Sequence, residues 1–466
     1  MQTGSGIPQV SLSHSKRGVL RGIHCSTYSK LVTITQGAIY DVIVDLRKDS
    51  STFGLWCAIH VSRENRRQIF IPAGCGHAFL CLEDADMLYI QGGCFDPSTE
   101  KDINPFDPFL DIRWPKLDDV QEYILSGKDK VAPNLQEREE FDMSIGDPKK
   151  RVLIVGASGQ VGGALSEASQ SEHVIGTFSQ NVCDGMVHFD LQAAAKDPSL
   201  ADDLITMCSP HIVCICAGMT WVDGCENAGA TPYLINSEGP RLLVRAAKRC
   251  GSKTVFYSTD YVFDGRREGY IFTESDQINP LNVYGRSKAA GEKAVLEEDP
   301  TCLILRTTGV FGPEKQGKNF VYQLCRSAIE GKDMLCASDN FGSPTYNRDL
   351  ANMTIGLLES GEQGIFNCVG PQTLTRRDFA KLVADTLGIK GLNIRSVDSA
   401  ELYENTLKAR GVAANRGIHL GLDITKLKRS IPAKFQPRSI EDALLHWKQN
   451  PRGAKICFCG DMGTQI

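Results

Sequence analysis

The most specific chemical pattern in this chain is a tyrosine and a lysine four residues apart. Tyr284 and Lys288 lie in NPLNVYGRSKAAGEKAV and would share one face of a helix. A nearby ammonium lowers the pKa of a phenol, so the pair could transfer a proton to a carbonyl oxygen. Ser258-Thr259-Asp260 ends an earlier apolar run and would add polar groups beside the pair. The alternative, a half-buried tyrosine beside a solvent-facing lysine, predicts no chemistry.

A glycine-rich turn upstream predicts a dinucleotide site. Its residues are Gly156, Ala157, Ser158, Gly159, Gln160, Val161 and Gly162. The turn follows the apolar run RVLIVGA and opens a helical stretch, so a diphosphate would lie at the helix N-terminus. An acid would be expected about 20 residues later to bind a ribose hydroxyl, but Thr177, Ser179 and Gln180 stand there. The missing acid favours NADPH mildly and leaves NADH open, and a purely structural turn is the alternative.

Polar side chains alternate with apolar ones in the first part of the chain. They are Arg21, His24, Lys30, Asp41, Asp45 and Arg47. Strands with one charged face indicate either a barrel interior lined by functional groups or a solvated outer face, and the pattern does not choose between them. His24 has no second histidine at metal-ligand spacing, so we expect no metal in this half.

The elements that must position these residues follow two patterns. Residues 31–115 read as short strands, and LVTITQGAIYDVIVDL predicts a β-hairpin that turns at Gly37. From residue 151 the apolar runs HIVCICAG, KTVFYSTD and CLILRTTG alternate with helical stretches such as GPRLLVRAAKRCG, which indicates βαβ units and a parallel sheet. The predicted organisation is an all-β domain over 1–133, a charged linker over 134–150, an α/β domain over 151–450 and a tail over 451–466.

Composition excludes several classes of protein. The 466 residues carry 51 basic and 56 acidic side chains, so a nucleic-acid binder is not expected. No apolar stretch reaches the roughly 18 residues that span a membrane, and the first residues lack a signal-peptide pattern. Seventeen cysteines without a regular framework predict a reducing, cytoplasmic compartment. Cys457 and Cys459 form an isolated C-x-C pair for which we expect no metal.

Residues 151–448 resemble the dTDP-4-dehydrorhamnose reductase family of extended short-chain dehydrogenase/reductases. The matching blocks are VLIVGASGQVGGAL, DGCENAGATPYLINSEGPRLL, FYSTDYVFDG, PLNVYGRSKAAGE, DNFGSPTYNRDLA and GLDITKL. The resemblance implies a doubly wound, Rossmann-type parallel sheet with a small substrate-binding lobe. It also implies hydride transfer to C4 of a nucleotide-linked keto-sugar. Tyr284 would protonate the C4 oxygen, Lys288 would hold the nicotinamide ribose, and Thr259 would hydrogen-bond the sugar.

The same resemblance places further residues around two ligands. Those implied for the NADPH or NADH site, beside the glycine turn, are Asp190, Leu191, Ala217, Gly218 and Asn236. The nucleotide-sugar would lie against Asn340, Ser343 and Pro344. The nonenzymatic regulatory subunit of methionine adenosyltransferase shares similar STDYVFDG and YG-x-x-K blocks. A regulatory subunit that binds NADP(H) is therefore an alternative.

Residues 8–133 resemble the dTDP-4-dehydrorhamnose 3,5-epimerase family, metal-free cupins with a jelly-roll fold. The matching blocks are GVLRGIH, KLVTITQGAIYDVIVDLRKDSSTFG, IPAGCGHAF, MLY and LSGKDKVAP. The resemblance implies that His24 removes protons from C3 and C5, that Asp129 orients His24, and that Tyr89 returns a proton on the opposite face. The supporting residues implied are Arg21 and Lys30 at the enolate oxygen and His77 at the substrate.

Three features depart from the epimerase family. Phe95 stands where a second tyrosine is common, and Ser11 replaces an asparagine. The resemblance begins at the family's third strand, so the strands that reach into a partner's site in a dimer are not matched. We still expect a homodimer. The two families catalyse consecutive steps, which predicts a bifunctional enzyme for dTDP- or UDP-linked L-rhamnose; a 4-reductase with an inactive cupin half is the alternative.

Overall fold

The structure is a computed structural model that describes residues 9–50, 52–96, 98–138, 150–169, 173–180 and 182–450. The predicted tail with Cys457 and Cys459, and most of the predicted linker, lie outside these ranges. The chain divides into two compact units, one with residues 1–149 and 202–209 and the other with residues 150–201 and 210–466. Within the described ranges, no helix is both long enough and apolar enough to cross a membrane.

The first unit is a sandwich of two sheets. Its strands are β1 (Gln9–Ser15), β2 (Val19–Cys25), β3 (Lys30–Gln36), β4 (Ala38–Asp45), β5 (Trp56–Ser62), β6 (Gln68–Ile71), β7 (Cys75–Cys81), β8 (Ala85–Gln91), β9 (Lys101–Asp102) and β10 (Ile124–Leu125), followed by helix α1 (Gly127–Lys130). One sheet has the order β1-β8-β3-β6, and the other has the order β10-β2-β7-β4-β5 with β9 beside β2. This is the all-β, cupin-like fold that the sequence predicts.

The side chains between the two sheets change from apolar to polar along the strands. Because side chains alternate faces along a strand, Phe79 and His77 of β7 point to the same interior. Phe79 packs in an apolar cluster with Val32 and Met87 from the opposite sheet. His77 lies two residues before Phe79 on β7, and Tyr89 lies two residues after Met87 on β8. One end of the sandwich therefore forms a core and the other holds functional groups.

The predicted hairpin at Gly37 is wrong. β3 pairs with β6 and β8, whereas β4 pairs with β5 and β7, so the two strands belong to different sheets. Gly37 has a φ of +75°, and a Cβ there would lie 2.0 Å from the carbonyl oxygen of Asp84. Only glycine allows this close turn, which takes the chain from one sheet to the other. Alternation along both strands is the same for a hairpin and for a crossing, which is why the pattern misled.

The second unit contains a parallel sheet with helices between its strands. The strands are β11 (Arg151–Val155), β12 (His173–Phe178), β13 (Val187–His188), β14 (Ile212–Ile215), β15 (Lys253–Thr259), β16 (Ile271–Phe272), β17 (Leu303–Thr307), β18 (Val310–Phe311), β19 (Asp333–Ala337), β20 (Phe341–Gly342), β21 (Thr345–Tyr346), β22 (Gly364–Asn367), β23 (Leu374–Thr375), β24 (Asn393–Val397) and β25 (Gly421–Leu422).

The helices from residue 150 onward connect these strands. They are α2 (Gln160–Ala168), α3 (Leu191–Lys196), α4 (Ser199–Cys208), α5 (Val222–Glu226), α6 (Thr231–Tyr233), α7 (Gly239–Arg249), α8 (Val283–Glu298), α9 (Phe320–Glu330), α10 (Asn347–Glu359), α11 (Arg376–Leu387), α12 (Ser399–Arg410), α13 (Thr425–Ser430) and α14 (Ile440–Gln449). The main sheet has the order β13-β12-β11-β14-β15-β17-β22 and is parallel throughout. The order reverses between β11 and β14, which is the point where ligands bind in such sheets.

Helix α8 packs closely against the backbone of two neighbouring segments, at Tyr261 and at Asn236. A Cβ on Gly285 would lie 2.2 Å from the carbonyl oxygen of Tyr261, and one on Gly291 would lie 2.2 Å from that of Asn236. The two glycines therefore let the helix backbone approach its neighbours. The helix starts at Asn282, whose side chain accepts a hydrogen bond from the backbone N–H of Gly285.

A buried ion pair ties α8 to β17. The Arg306 guanidinium donates to both carboxylate oxygens of Glu292, at 2.9 Å and 2.7 Å, and both side chains are almost fully buried. Glu292 also accepts a hydrogen bond from Ser258 at 2.5 Å. Removal of one partner of a buried ion pair leaves the other charge buried without a counter-ion. The resulting loss of stability exceeds the net contribution of the intact pair.

Replacing Glu292 with alanine should lower the free energy of unfolding by about 3–5 kcal/mol, because the Arg306 charge would stay buried without a carboxylate. The matched control is Glu297→Ala on the same helix, which removes an exposed pair with Lys293 and should cost less than about 1 kcal/mol. Urea unfolding of the full chain measures both changes. Equal losses in the two variants would contradict the assignment of Glu292 as a structural anchor.

Candidate active sites

His24 forms a hydrogen-bonded dyad with a buried aspartate in the first unit. Its Nε2 lies 2.8 Å from Oδ1 of Asp129 and 3.7 Å from Oδ1 of Asp102. Asp129 lies in α1, and the Ser126 hydroxyl, which caps this helix, donates to its other carboxylate oxygen at 2.8 Å. Burial acts to raise the pKa of Asp129, but hydrogen bonds from His24 and Ser126 outweigh it and the pKa lies below its usual value. Asp129 is therefore ionised at neutral pH and fixes the His24 ring.

A second histidine–aspartate pair lies on the neighbouring strands. His77 is the cross-strand partner of His24, and its Nε2 lies 2.8 Å from Oδ2 of Asp41. Both members are buried. The ring of Tyr89 packs edge-on against His77 with 6.3 Å between centroids. Burial, followed by the charge of Asp41, raises the pKa of Tyr89, so its phenol keeps its proton.

Two basic residues complete this site from both sheets. The Lys30 ammonium is buried at the start of β3, 3.7 Å from Oε1 of Glu100. Burial lowers the pKa of Lys30 although Glu100 acts in the opposite direction. Arg21 donates to the Ser13 hydroxyl at 3.2 Å, and its positive charge acts on Tyr89.

Contacts and cross-strand pairing join four of the six residues predicted for the first site, which are His24, Asp129, His77 and Tyr89. Arg21 and Lys30 add positive charge from the two sheets. A base with an ionised partner, a protonated phenol and two cations can remove a proton next to a ketone, hold the resulting enolate and return a proton. Asp45 and Arg47 do not belong to this interior. Asp45 ends β4 as a buried carboxylate and accepts hydrogen bonds from the exposed Arg47, at 2.8 Å, and from Ser50 and Thr52.

The tyrosine–lysine pair of the second unit lies on the buried face of α8, as predicted. Tyr284 and Lys288 are both less than 9% exposed. Burial raises the pKa of Tyr284 although the hydroxyl of Thr259 acts to lower it, so the phenol is protonated and can donate a proton. The Tyr284 ring also packs edge-on against Tyr261 at 5.9 Å.

The Lys288 ammonium is held by the strand next to it. Its Nζ donates to the carbonyl oxygen of Tyr257 at 2.6 Å and lies 4.5 Å from the centroid of the Phe256 ring. Burial lowers the pKa of Lys288 to about 8, although Glu292 one turn along the helix acts to raise it. The ammonium is therefore charged at neutral pH and loses its proton in mildly alkaline solution.

Thr259 and Asp260 end β15 beside this pair. The Thr259 hydroxyl donates to the Asp260 carboxylate at 2.9 Å, which leaves the oxygen of Thr259 available as an acceptor. Burial raises the pKa of Asp260 to about 6. Sequence reasoning quoted Asp260 only as part of a polar strand end, and did not assign it a role.

The glycine turn fits a dinucleotide diphosphate. Gly156 has a φ of +87°, and a Cβ there would lie 2.8 Å from the backbone nitrogen of Ala217 at the end of β14. Gly159 caps α2 without a side-chain hydrogen bond, so no side chain occupies the first-turn N–H groups. A diphosphate satisfies such groups directly. The turn and Ala217 lie together at the point where the strand order reverses.

Other residues predicted to line the cofactor site also have structural roles. Asn236 is fully buried and bonds to the backbone of Met219 and to Ser287 of α8, so it joins the loop after β14 to the helix that carries Lys288. Gly218 lies against Asn236 and Lys288, since a Cβ there would be 3.0 Å and 3.5 Å from their polar atoms.

The remaining predicted cofactor residues flank the glycine turn at the start of helices. Asp190 caps α3 by accepting two backbone N–H bonds, and Leu191 is buried behind it. Gln160 donates to the carbonyl oxygen of Val310, while Ser158 and Val161 are partly buried in the turn and the first helical turn.

Two cavities open next to Thr259. The smaller, of about 220 Å³, is lined by Asp260, Ser343 and Pro344 among others, and the larger, of about 820 Å³, is lined by Trp221 and helix α12. Asn340 lines both. All three residues predicted to cradle a nucleotide-sugar thus line the smaller cavity, and Asn340 lines the larger one as well.

Several residues near the two sites were not predicted. In the first unit these are Asp102, Glu100 and the pairing of Asp41 with His77; in the second they are Asp260, Tyr261, Arg376 and Arg416. Asp41 was visible as one charge in an alternating strand. The others come from segments without a spacing pattern, so only the folded chain brings them together.

The fifteen cysteines within the described ranges are all free thiols. Most are buried in strands and helices, while Cys57 and Cys94 are exposed. Burial raises the pKa of several of them, including Cys25, Cys81 and Cys225, to about 11. Thiols with raised pKa values are poor nucleophiles, which agrees with packing rather than catalysis. The described residues contain no group of three or more potential metal ligands.

Comparison with known proteins matches each unit to a family. Residues 150–446 match the model of the RmlD substrate binding domain, and residues 2–137 match the model of dTDP-4-dehydrorhamnose 3,5-epimerase. A dTDP-4-dehydrorhamnose reductase from Mycobacterium tuberculosis is 33% identical over 256 residues, which cover 54% of this chain and 80% of that protein. A reductase of the same name from Aggregatibacter actinomycetemcomitans is 32% identical over 302 residues. The match covers 63% of this chain and 97% of that protein.

Solved structures agree with the match of the second unit. A dTDP-4-dehydrorhamnose reductase from Bacillus anthracis, solved in complex with NADP, is 30% identical, with a TM-score of 0.56; the alignment covers 65% of this chain and 99% of that one. The parallel-sheet unit therefore has the predicted Rossmann-type fold. The chain belongs to the RmlD reductase family and is an oxidoreductase fused to a domain of the dTDP-4-dehydrorhamnose 3,5-epimerase family.

Proposed function

We propose that this chain epimerises a nucleotide-linked 4-keto-6-deoxyglucose at C3 and C5 and then reduces its C4 ketone with NADPH, which yields a nucleotide-linked L-rhamnose. The observation that carries the proposal is that each unit brings together groups suited to proton transfer, His24 with Asp129 in one and Tyr284 with Lys288 on the buried face of α8 in the other. Both reactions need the same ketone. It acidifies the C3 and C5 protons in the first step and accepts the hydride in the second.

In the epimerase step, His24 removes a proton next to the ketone while Asp129 stabilises the imidazolium that forms. Lys30 and Arg21 supply positive charge for the enolate oxygen. Tyr89, which keeps its proton because of burial, donates one to the opposite face of the sugar ring. The dyad of His77 and Asp41 positions the substrate on the strand beside His24.

In the reductase step, NADPH supplies a hydride to C4 when it is bound at the glycine turn. Tyr284 donates its phenolic proton to the C4 oxygen, and the Lys288 ammonium favours the phenolate that remains. Thr259 accepts a hydrogen bond in the same site, since its own proton is directed to Asp260. The end of β12 supports NADPH over NADH, because Thr177 and Phe178 place no carboxylate there to repel a 2′-phosphate.

Two alternatives make different predictions. A reductase with an inactive cupin half would leave C3 and C5 unchanged, and a regulatory subunit would bind NADP(H) without consuming it. The dyad of the partly exposed His24 and the buried Asp129 supports epimerase activity, and the protonated Tyr284 on the same helix face as the charged Lys288 supports reduction. The nucleotide is thymidine or uridine diphosphate. We also propose a cytoplasmic homodimer, for which the mass in solution is the test.

Without NADPH in heavy water, the chain should incorporate deuterium at C3 and C5 of the 4-keto sugar nucleotide, and His24→Ala should slow this about 100- to 10,000-fold because the base is lost. NMR spectroscopy of the recovered sugar measures the exchange. The control is His14→Ala, which removes an exposed histidine–aspartate pair with Asp86 and should leave the exchange rate unchanged. No uptake by the unmodified chain would refute the epimerase proposal.

With the epimerised 4-keto sugar as substrate, Tyr284→Phe should lower kcat for NADPH oxidation about 100- to 10,000-fold, because the ring stays in place without its proton. The decrease in absorbance of NADPH measures the rate. His24→Ala should keep nearly full reductase activity on this substrate, which separates the two sites. Undiminished turnover by the Tyr284→Phe variant would contradict the assigned proton donor.

The reductase rate should fall above pH 8, because the pKa of Lys288 is lowered to about 8 and the phenol then loses its charged neighbour. Deprotonation of Lys288 does not unfold the chain, so a loss of stability from this residue cannot cause the decline in rate. Its folded pKa lies below the ordinary value of 10.5, so the unfolded state binds more protons between these values and the Lys288 contribution to stability rises with pH. Lys288→Arg stays charged and should remove the decline. An identical pH profile for the variant would contradict this role.

A further inference from the structure

The strongest feature that the proposed reaction does not use is Arg376, the first residue of α11. Its side chain is solvent-accessible and lines both cavities of the second unit. The guanidinium carbon lies over the Phe320 ring, 4.0 Å from its centroid, which is within the distance of a cation–π contact. Stacking fixes the plane of a guanidinium while its N–H edge stays free to donate.

No carboxylate within the described residues forms an ion pair with Arg376. Its neighbour Arg377 differs in this respect, since it pairs with Asp378 at 3.0 Å. The protein around the guanidinium displaces part of its water although the side chain is exposed, and this lowers the pKa of Arg376; the charge of a second arginine, Arg416, acts in the same direction. An arginine nevertheless stays protonated in proteins. Arg376 is thus a positioned cation whose charge is not compensated by a partner.

The walls around it carry a small excess of positive charge. Arg416 binds Asp223 at 2.7 Å, and Arg410 lies 3.4 Å from the other oxygen of this carboxylate. Glu404 of α12 is the other acidic residue on the wall of the larger cavity. Three arginines therefore face two carboxylates in this cavity. Arg416 already has Asp223 as its ion-pair partner, so Arg376 is the cation in this cavity that can bind a ligand.

The larger cavity has room for a nucleoside beyond Arg376. Trp221 lines this cavity and is 58% exposed, an unusual value for such a large apolar side chain. Its indole lies on the backbone of Gly224, where a Cβ would be 2.3 Å from the ring. The ring thus packs against this backbone while much of the side chain stays exposed in the cavity. An exposed aromatic ring in a cavity is a platform on which a nucleobase can stack.

The smaller cavity leads from Arg376 to the reacting groups. Asp260, which follows Thr259, lines it, and Tyr261 lines both cavities and packs against Tyr284. A ligand that extends from Asp260 in the smaller cavity to Trp221 in the larger one therefore passes the residues that line both, and Arg376 is one of these. In a nucleotide-sugar the diphosphate occupies this middle position, between the sugar and the nucleoside.

We infer that Arg376 binds the diphosphate of a nucleoside diphosphate-linked substrate and that Trp221 marks the nucleoside side of the same site. The inference rests on the proposed reductase function, because it assigns the substrate's path to that active site. It adds a residue that recognises the diphosphate of the substrate rather than the reacting sugar. Arg376 then affects substrate affinity, and the proton donor Tyr284 affects the rate of the chemical step.

The test compares ligands that differ only in their phosphates. The full chain, saturated with NADP⁺, is titrated calorimetrically with dTDP, UDP, thymidine and uridine. Arg376→Met, which keeps an apolar contact with Phe320, should weaken binding of the diphosphates about 10- to 100-fold and leave binding of the nucleosides unchanged. Arg376→Lys should recover part of the loss, because it restores charge without the planar fork.

Arg377→Ala is the matched control, since it removes the adjacent arginine, which pairs with Asp378 and does not line either cavity. It should bind all four ligands like the unmodified chain. The epimerase unit is the same in every variant, so differences between isotherms report on the second unit. Unchanged diphosphate affinity in Arg376→Met, equal losses in both arginine variants, or an equal loss for nucleosides and diphosphates would each overturn the inference.

The readout also separates this inference from the proposed reaction. If the Arg376 variants lose the preference for nucleoside diphosphates over nucleosides but NADPH is never consumed, the diphosphate site is supported and the reductase proposal fails. If the chain reduces the 4-keto sugar and Arg376→Met leaves the KM for it unchanged, the reductase proposal stands and the role of Arg376 is refuted.

Discussion

The hydrogen bond from the Lys288 ammonium to the carbonyl oxygen of Tyr257 is the contact on which the second active site depends. A buried ammonium is costly unless an acceptor meets it, so this bond fixes where α8 lies against the sheet. Gly285 and Gly291 permit the close approach, and the pair of Glu292 and Arg306 anchors the far end of the same helical face. Tyr284 is positioned as a consequence, one turn before the lysine.

In the first unit, buried charged groups are also paired, but most of them lie on strands instead of on a helix. Its functional groups lie inside a sandwich, where each charge needs a partner: Asp129 for His24, Asp41 for His77, and Glu100 for Lys30. The partners hold these side chains in place. In both units burial raises the pKa of the phenol that would donate a proton, Tyr89 in one and Tyr284 in the other.

The sequence predicts the parts of this structure that follow from local spacing. The four-residue interval of Tyr284 and Lys288, the glycine turn after an apolar run and the alternation of strands and helices all correspond to the fold. The hairpin at Gly37 fails because alternation along a strand does not identify its partner. Arg376 and Arg416 escaped prediction for a related reason, since 40 residues separate them and only tertiary folding brings their charges together.

The central claim is that two sites act in turn on one ketone, and the product formed in heavy water with NADPH tests it most directly. The full chain is supplied with dTDP- or UDP-4-keto-6-deoxyglucose, and the sugar is examined by NMR spectroscopy. The account predicts a nucleotide-linked 6-deoxy-L-mannose that carries deuterium at C3 and C5. A reduced sugar that retains the D-configuration and carries no deuterium at these carbons, or recovery of unreduced sugar with NADPH unconsumed, would contradict it.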